Sequence, residues 1–136
     1  MRQQPKTDIY YPSELRDERS KRLFASVVYY EISQAYRDNN TLGFLDPDDL
    51  QAILSYLTSH QLAQRYLTFL QLPFLITTVA SRWAHARCID PDFETGLLLA
   101  DAGIYFILAT YSAPRTGCEL TPKFLALVDK LASRLV

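Results

Sequence analysis

The stretch LLLADAGIYFILATY, Leu97–Tyr111, decides how the rest of the chain is interpreted. Asp101 is its only charged residue. On a helical wheel its apolar residues fall on every side, a pattern typical of a helix that is buried all round. The run is shorter than the about 20 apolar residues that a membrane-spanning helix needs. We therefore predict a central apolar helix at about 91–112 with other helices packed around it.

This central helix predicts an all-α fold class, a single-domain bundle of five or six helices. The chain has 136 residues, of which 49% are hydrophobic, and this suits one domain with a substantial core. Residues 1–12 are expected to form a flexible N-terminal arm and residues 13–136 the helical domain. Ser13 is an N-cap type of residue, so the first helix is expected to begin there and to reach about Arg37.

Two similar helix caps flank the middle of the chain. Asp46–Pro47 and Asp90–Pro91 both place an N-cap carboxylate before a proline at the first helical position, and they lie 90 − 46 = 44 residues apart. This offset is compatible with two α-hairpin repeats. Between them, Phe74–Val79 has a strand-like composition, but we assign it to a helix because Ala80 and Trp83 continue it. Thr121–Pro122 is expected to cap the last helix.

The segment Asp38–Asp49 resembles an EF-hand calcium loop. Leu42 stands at the fifth loop position without an oxygen ligand, and Asp49 replaces the bidentate Glu of the twelfth. Helix capping by Asp46 and Pro47 explains the same residues more simply. We expect no calcium dependence and no metal site.

No nucleophile elbow, phosphate-binding loop or dinucleotide fingerprint occurs in the chain. His85 and Cys88 lie three residues apart on an expected helix, a spacing that makes them neighbours, but such pairs are usually incidental. We therefore predict a protein that is not an enzyme and needs no cofactor. Cys88 and Cys118 lack a metal-binding spacing, and a disulfide between them stays open. No signal peptide is visible in the sequence, so we expect a cytoplasmic location, where thiols stay reduced.

Asp101 is predicted to be a buried carboxylate within the central helix. A buried carboxylate needs a cation or hydrogen-bond donors, and we expect a salt bridge to Arg82 or Arg87. Gly96, Ala100 and Gly103 form a stripe of small residues on the same helix, which favours close approach of another backbone.

The formal net charge of −1 argues against a general nucleic-acid binder and against attachment to an acidic membrane surface. We predict a non-catalytic protein–protein interaction module, an adaptor, assembly factor or accessory subunit of a larger complex, which forms a homodimer. Tyrosine, tryptophan and arginine are enriched in interfaces. Candidate partner-binding residues are Tyr10, Tyr11, Phe24, Val28, Tyr36, Arg82, Trp83 and Arg87.

Two alternatives stay open. One is a small-ligand-binding helical domain, or an enzyme, with its pocket near Trp83, His85 and Asp101. The other is a divergent EF-hand-like protein that responds to calcium through Asp38–Asp49.

Overall fold

A six-stranded antiparallel sheet organises the protein. The computed structural model describes residues 23–37, 45–62 and 64–135. The sheet has the strand order β1-β6-β5-β4-β3-β2. Along the chain the elements are β1 Ser26–Glu31, α1 Ile32–Arg37, α2 Pro47–Ser59, β2 Tyr66–Phe69, β3 Leu72–Val79, β4 Trp83–Cys88, β5 Thr95–Asp101, β6 Tyr105–Ser112 and α3 Gly117–Leu135. The predicted all-α bundle is therefore wrong, and the fold is a mixed α/β one.

The predicted central helix is a β-hairpin of β5 and β6. Gly96 pairs with Tyr111 and Asp101 with Phe106, and Gly103 turns the chain with a φ of 91°. The run is apolar on every side because both faces of these two strands are buried. Central strands that are covered on both faces lose the polar alternation by which a strand is usually recognised.

Each face of the sheet has its own hydrophobic core. Leu97 and Leu99 point to the side that carries α2, and Leu98 and Ala100 point to the side that carries α3. On the α2 side the helix contributes Leu50, Ile53, Leu54 and Tyr56, all at most 1% exposed. On the α3 side the helix contributes Leu120, Phe124, Leu127 and Val128. The sheet therefore separates two helical layers.

Other predicted helices are also strands. The expected first helix contains β1, whose sequence SVVYYE is rich in β-branched and aromatic residues. Phe74–Val79 lies in β3, as its composition indicated, and Trp83 opens β4. Asp90–Pro91 does not begin a helix. The Asp90 carboxylate instead accepts a hydrogen bond from the Asp92 N–H at 3.0 Å in the turn between β4 and β5, so the α-hairpin repeat is wrong as well.

The cap at Asp46 is confirmed. Its carboxylate accepts from the Asp48 N–H at 3.1 Å, and Pro47 is the first residue of α2. The last helix begins four residues before the predicted Thr121, because Gly117 is its first residue and the Thr116 hydroxyl accepts from the Glu119 N–H. The expected arm, residues 1–12, and most of the calcium-loop segment, residues 38–44, lie outside the described residues.

Candidate functional site

One half of the sheet is left uncovered on the α3 side. α3 packs on β5 and β6 and its first residue reaches His85 of β4, whereas on the same side of β2 and β3 the side chains of Tyr66, Thr68 and Thr77 are exposed. We call this surface the open face. Its side chains are Tyr66, Thr68, Leu75, Thr77, Trp83, His85 and Arg87. Tyr66 is 56% exposed, among the most exposed of the large apolar side chains in the described part.

A cross-strand row joins the open face to the core under α3. The strand register places Tyr66 opposite Leu75, Leu75 opposite Arg87, Arg87 opposite Gly96, and Gly96 opposite Tyr111. Directly opposed residues share one face of a sheet and interact through their side chains. The row therefore runs from Tyr66, which is exposed, to Tyr111, which is buried.

His85 links the open face to Tyr111. Its Nε2 lies 2.6 Å from the Tyr111 hydroxyl, and its Nδ1 lies 2.7 Å from the Thr77 hydroxyl. The Thr77 hydroxyl also donates to the main-chain oxygen of His85 at 3.2 Å. These partners fit a neutral imidazole that donates from Nδ1 and accepts the Tyr111 phenol proton at Nε2.

Burial reinforces these protonation states. It lowers the pKa of His85, which favours the neutral ring at pH 7. Burial, with a smaller contribution from the nearby Cys118, raises the pKa of Tyr111 and keeps its phenol protonated. At pH 7 the hydrogen bonds of the Thr77–His85–Tyr111 chain therefore join three neutral groups.

Two glycines make room for this link. A Cβ on Gly96 would lie 2.1 Å from the Tyr111 ring, so the ring can cross β5 only because Gly96 has no side chain. A Cβ on Gly117 would lie 2.9 Å from both His85 Nε2 and the Tyr111 hydroxyl. The first residue of α3 thus rests on the His85–Tyr111 pair. The stripe of small residues was predicted to allow close approach of another backbone, but at Gly96 it meets an aromatic ring.

Three predicted partner-binding residues come together around β4. Trp83 and Arg87 lie on the open face, two residues on either side of His85. Arg82 lies in the preceding turn, where its guanidinium donates to the main-chain oxygen of Asp101 at 3.4 Å. Sequence reasoning missed Tyr66, Thr77 and Tyr111 as their neighbours, because these residues are distant in the chain.

The other predicted partner-binding residues are not on this surface. Phe24 and Val28 are only 2% and 4% exposed and lie in the cores on the two sides of the sheet. Tyr36 belongs to α1, with its side chain outside the described part, and Tyr10 and Tyr11 lie outside the described residues.

Asp101 is not the buried ion of a central helix. It ends β5 half-buried, and its carboxylate accepts from the Gly103 N–H at 2.9 Å in the hairpin turn. No ion pair joins it to Arg82 or Arg87 among the described residues. Its role is local, because a carboxylate that accepts a main-chain N–H two residues on stabilises a turn.

His85 and Cys88 do not form a pair. Residues three apart on a strand point to opposite faces, and Cys88 packs against the core on the α2 side. Asp49, the last residue of the calcium-loop segment, accepts from the Gln64 side chain and the Thr68 N–H, both at 2.6 Å. Among the described residues no cluster of three metal-ligating side chains occurs.

A cleft on the described surface has a volume of about 520 Å³. It lies where β4 ends and is lined by Arg87, Cys88, Phe93, Gly96, Tyr111 and Arg115, among others. It includes none of Trp83, His85 and Asp101, around which a ligand pocket was expected.

The fold is similar to that of profilins. Profilin IA of Acanthamoeba castellanii superposes with a TM-score of 0.62 at 11% sequence identity, covering 86% of this chain and 91% of that chain. Profilin II of the same organism, in a cubic crystal form, gives 0.58 at 12% identity with the same coverage of both chains. No protein-family profile and no curated protein matches the sequence.

At this identity the likeness describes architecture alone. It agrees with the arrangement of strands and helices given above and overturns the helical bundle. The open face and the cleft are thus surfaces of this chain's own residues on a profilin-like sheet. Within the described residues, no helix has both the length and the apolar character needed to cross a membrane.

Proposed function

We propose that the protein is a non-catalytic protein–protein interaction module, an adaptor, assembly factor or accessory subunit, and that the open face is its docking surface. The observation that carries this proposal is the uncovered half-sheet. Tyr66 is 56% exposed, Leu75 lies between it and Arg87 in the strand register, and Trp83 lies farther along β4. Tryptophan, tyrosine and arginine dominate the binding energy of interfaces. Exposed apolar patches of this kind mark interaction sites.

The charges of this region favour an acidic partner. From Leu50 to Ile89 the chain contains no aspartate or glutamate but three arginines, Arg65, Arg82 and Arg87. A surface of one sign steers and orients a partner of the opposite sign. We therefore expect the bound surface to combine carboxylates with apolar side chains.

The homodimer stays a prediction, and the same charges bear on it. A twofold interface brings the same patch of both chains together. Arg87 of each chain would then lie in the shared interface, and bringing like charges together disfavours pairing through the open face. The cytoplasm remains the proposed location, because Cys88 and Cys118 are both free and reducing compartments preserve thiols.

Capture from a native extract tests this function. The double variant Tyr66→Ser/Leu75→Thr removes apolar surface from the open face. Ile104→Ser is the matched control, since Ile104 is also 56% exposed but lies in the β5–β6 turn. Proteins retained by the wild type and by Ile104→Ser, identified by mass spectrometry, should be lost from the double variant. Their retention should weaken as salt is raised.

Two outcomes would contradict the proposal. One is equal retention of the same proteins by all three forms, once thermal unfolding shows that each is folded. The other is no retained protein together with a monomer by sedimentation. If sedimentation gave the mass of two chains for the wild type and of one chain for the double variant, the open face would bind a second copy of this protein instead.

A further inference from the structure

The cleft at the end of β4 has the size of a small-ligand site. Its volume of about 520 Å³ falls within the range of ligand pockets. Its walls come from the end of β4, the β4–β5 turn, the start of β5 and the loop between β6 and α3. The lining includes the charged residues Arg87, Asp90, Glu94 and Arg115 and the apolar residues Ile89 and Phe93.

The cleft offers apolar surface at its rim and floor. Ile89 and Phe93 both line it, and they are 45% and 47% exposed although they are bulky apolar residues. Tyr111 also lines the cleft, but it is only 6% exposed, because its ring packs over Gly96 and its hydroxyl is held by His85. A planar apolar group placed against Ile89 and Phe93 would cover apolar surface that is now exposed, and an aromatic group beside Phe93 gains further from the ring geometry.

Opposite charges line the same cleft without meeting. Arg115 pairs with Glu119 at 2.7 Å, but no ion pair joins Arg87 to a carboxylate of the described residues. Asp90 and Glu94 also line the cleft and have no cationic partner within the described ranges. A bound molecule that carries both an anionic and a cationic group would pair with Arg87 and with the two carboxylates at the same time.

We propose that the cleft binds a zwitterionic amino acid with an aromatic side chain. The ligand carboxylate faces Arg87, whose planar guanidinium suits bidentate contact with a carboxylate. The ligand ammonium faces Asp90 and Glu94, and the ring lies against Phe93 and Ile89. The cleft shares Arg87 with the open face, but the two proposals are tested separately, because the variants that test the open face leave Arg87 and Phe93 unchanged.

Three related probes separate the contributions of charge. L-Tryptophan carries both charges, indole-3-propionate only the carboxylate, and tryptamine only the ammonium group. Titration of the isotope-labelled full chain should give saturable amide shifts at Phe93, Gly96 and neighbouring lining residues. We expect L-tryptophan to bind more tightly than either of the other two. Equal or tighter binding of indole-3-propionate or tryptamine would overturn the zwitterion, and so would an absence of saturable shifts with millimolar L-tryptophan.

Two variants place the ligand in this cleft. Arg87→Gln should weaken L-tryptophan binding at least about tenfold, which is the effect of losing one charge-assisted contact. Arg65→Gln is the matched control, since Arg65 is an exposed arginine outside the lining and should leave the affinity unchanged. Phe93→Ala should also weaken binding, and because Phe93 is exposed its removal should leave the fold intact. Unchanged affinity in Arg87→Gln and Phe93→Ala would place the binding elsewhere and overturn the proposal.

Discussion

At the scale of single residues, Gly96 allows the link between the sheet and α3. The ring of Tyr111 crosses β5 at Gly96, and this places the Tyr111 hydroxyl 2.6 Å from His85. Any side chain at position 96 would displace the ring. The glycine is required by close approach and not by an unusual backbone angle.

Gly96→Ala should therefore destabilise the protein by about 1–3 kcal/mol, the usual cost of inserting a methyl group into a packed region. Urea unfolding measures this loss. In a Tyr111→Ala background the same substitution should cost much less, because the ring that it displaces is absent. Equal costs in both backgrounds would contradict the role assigned to the Gly96–Tyr111 contact.

At the scale of elements, the turn between β2 and β3 is strained. Phe69 pairs with Leu72, so Leu70 and Gln71 form a two-residue turn, with φ values of 52° and 66°. Such turns favour Asn-Gly, because both central residues adopt the left-handed region. Leu70 packs against the core, whereas Gln71 is exposed and free to change.

Gln71→Gly should stabilise the protein by about 0.5–1 kcal/mol, because relief of the left-handed strain exceeds the extra entropy of glycine in the unfolded chain. Gln51→Gly is the control. Gln51 is exposed in the middle of α2, where glycine should cost about 1 kcal/mol. Thermal unfolding of the two variants should shift in opposite directions, and a shift in the same direction would argue against strain at Gln71.

The elements also show which signals the sequence carried. Trp83, Ala84, His85, Ala86 and Arg87 alternate between large and small side chains, and large ones point to the open face while alanines point to the core under α2. This period of two is the pattern of a strand. The sequence contains this alternation, but the prediction of a helix through Trp83 did not take it into account.

At the scale of the whole molecule, Tyr56 ties the α2 layer to the sheet. Its side chain is fully buried, and its hydroxyl donates to the main-chain oxygen of Ala80 in the β3–β4 turn at 2.9 Å. Burial, with a smaller contribution from the charge of Asp101, raises the pKa of Tyr56 from 10.0 to about 12. In alkaline solution the folded protein therefore keeps the phenol proton of Tyr56, which the unfolded chain releases.

This difference predicts a loss of stability in alkali. Between about pH 10 and about pH 12 the unfolded state binds fewer protons, so the free energy of unfolding falls as the pH rises. Tyr56→Phe should cost about 1 kcal/mol at neutral pH for the lost hydrogen bond and should reduce the alkaline decline. Urea unfolding at neutral and alkaline pH measures both effects. If the free energy of unfolding fell as steeply with pH in Tyr56→Phe as in the wild type, Tyr56 would not be the source of the alkaline loss of stability.

The sequence by itself determined the local features of this protein. The Asp46–Pro47 cap of α2 was predictable because its donor and acceptor are two residues apart. The amount of core was predictable too, since 49% hydrophobic residues must be buried somewhere. The tertiary structure alone decided that Leu97–Tyr111 is a hairpin and that Thr77, His85 and Tyr111 meet. Strand pairing joins residues far apart in the chain. Burial on both faces removes the alternation of apolar and polar residues by which strands are recognised in a sequence.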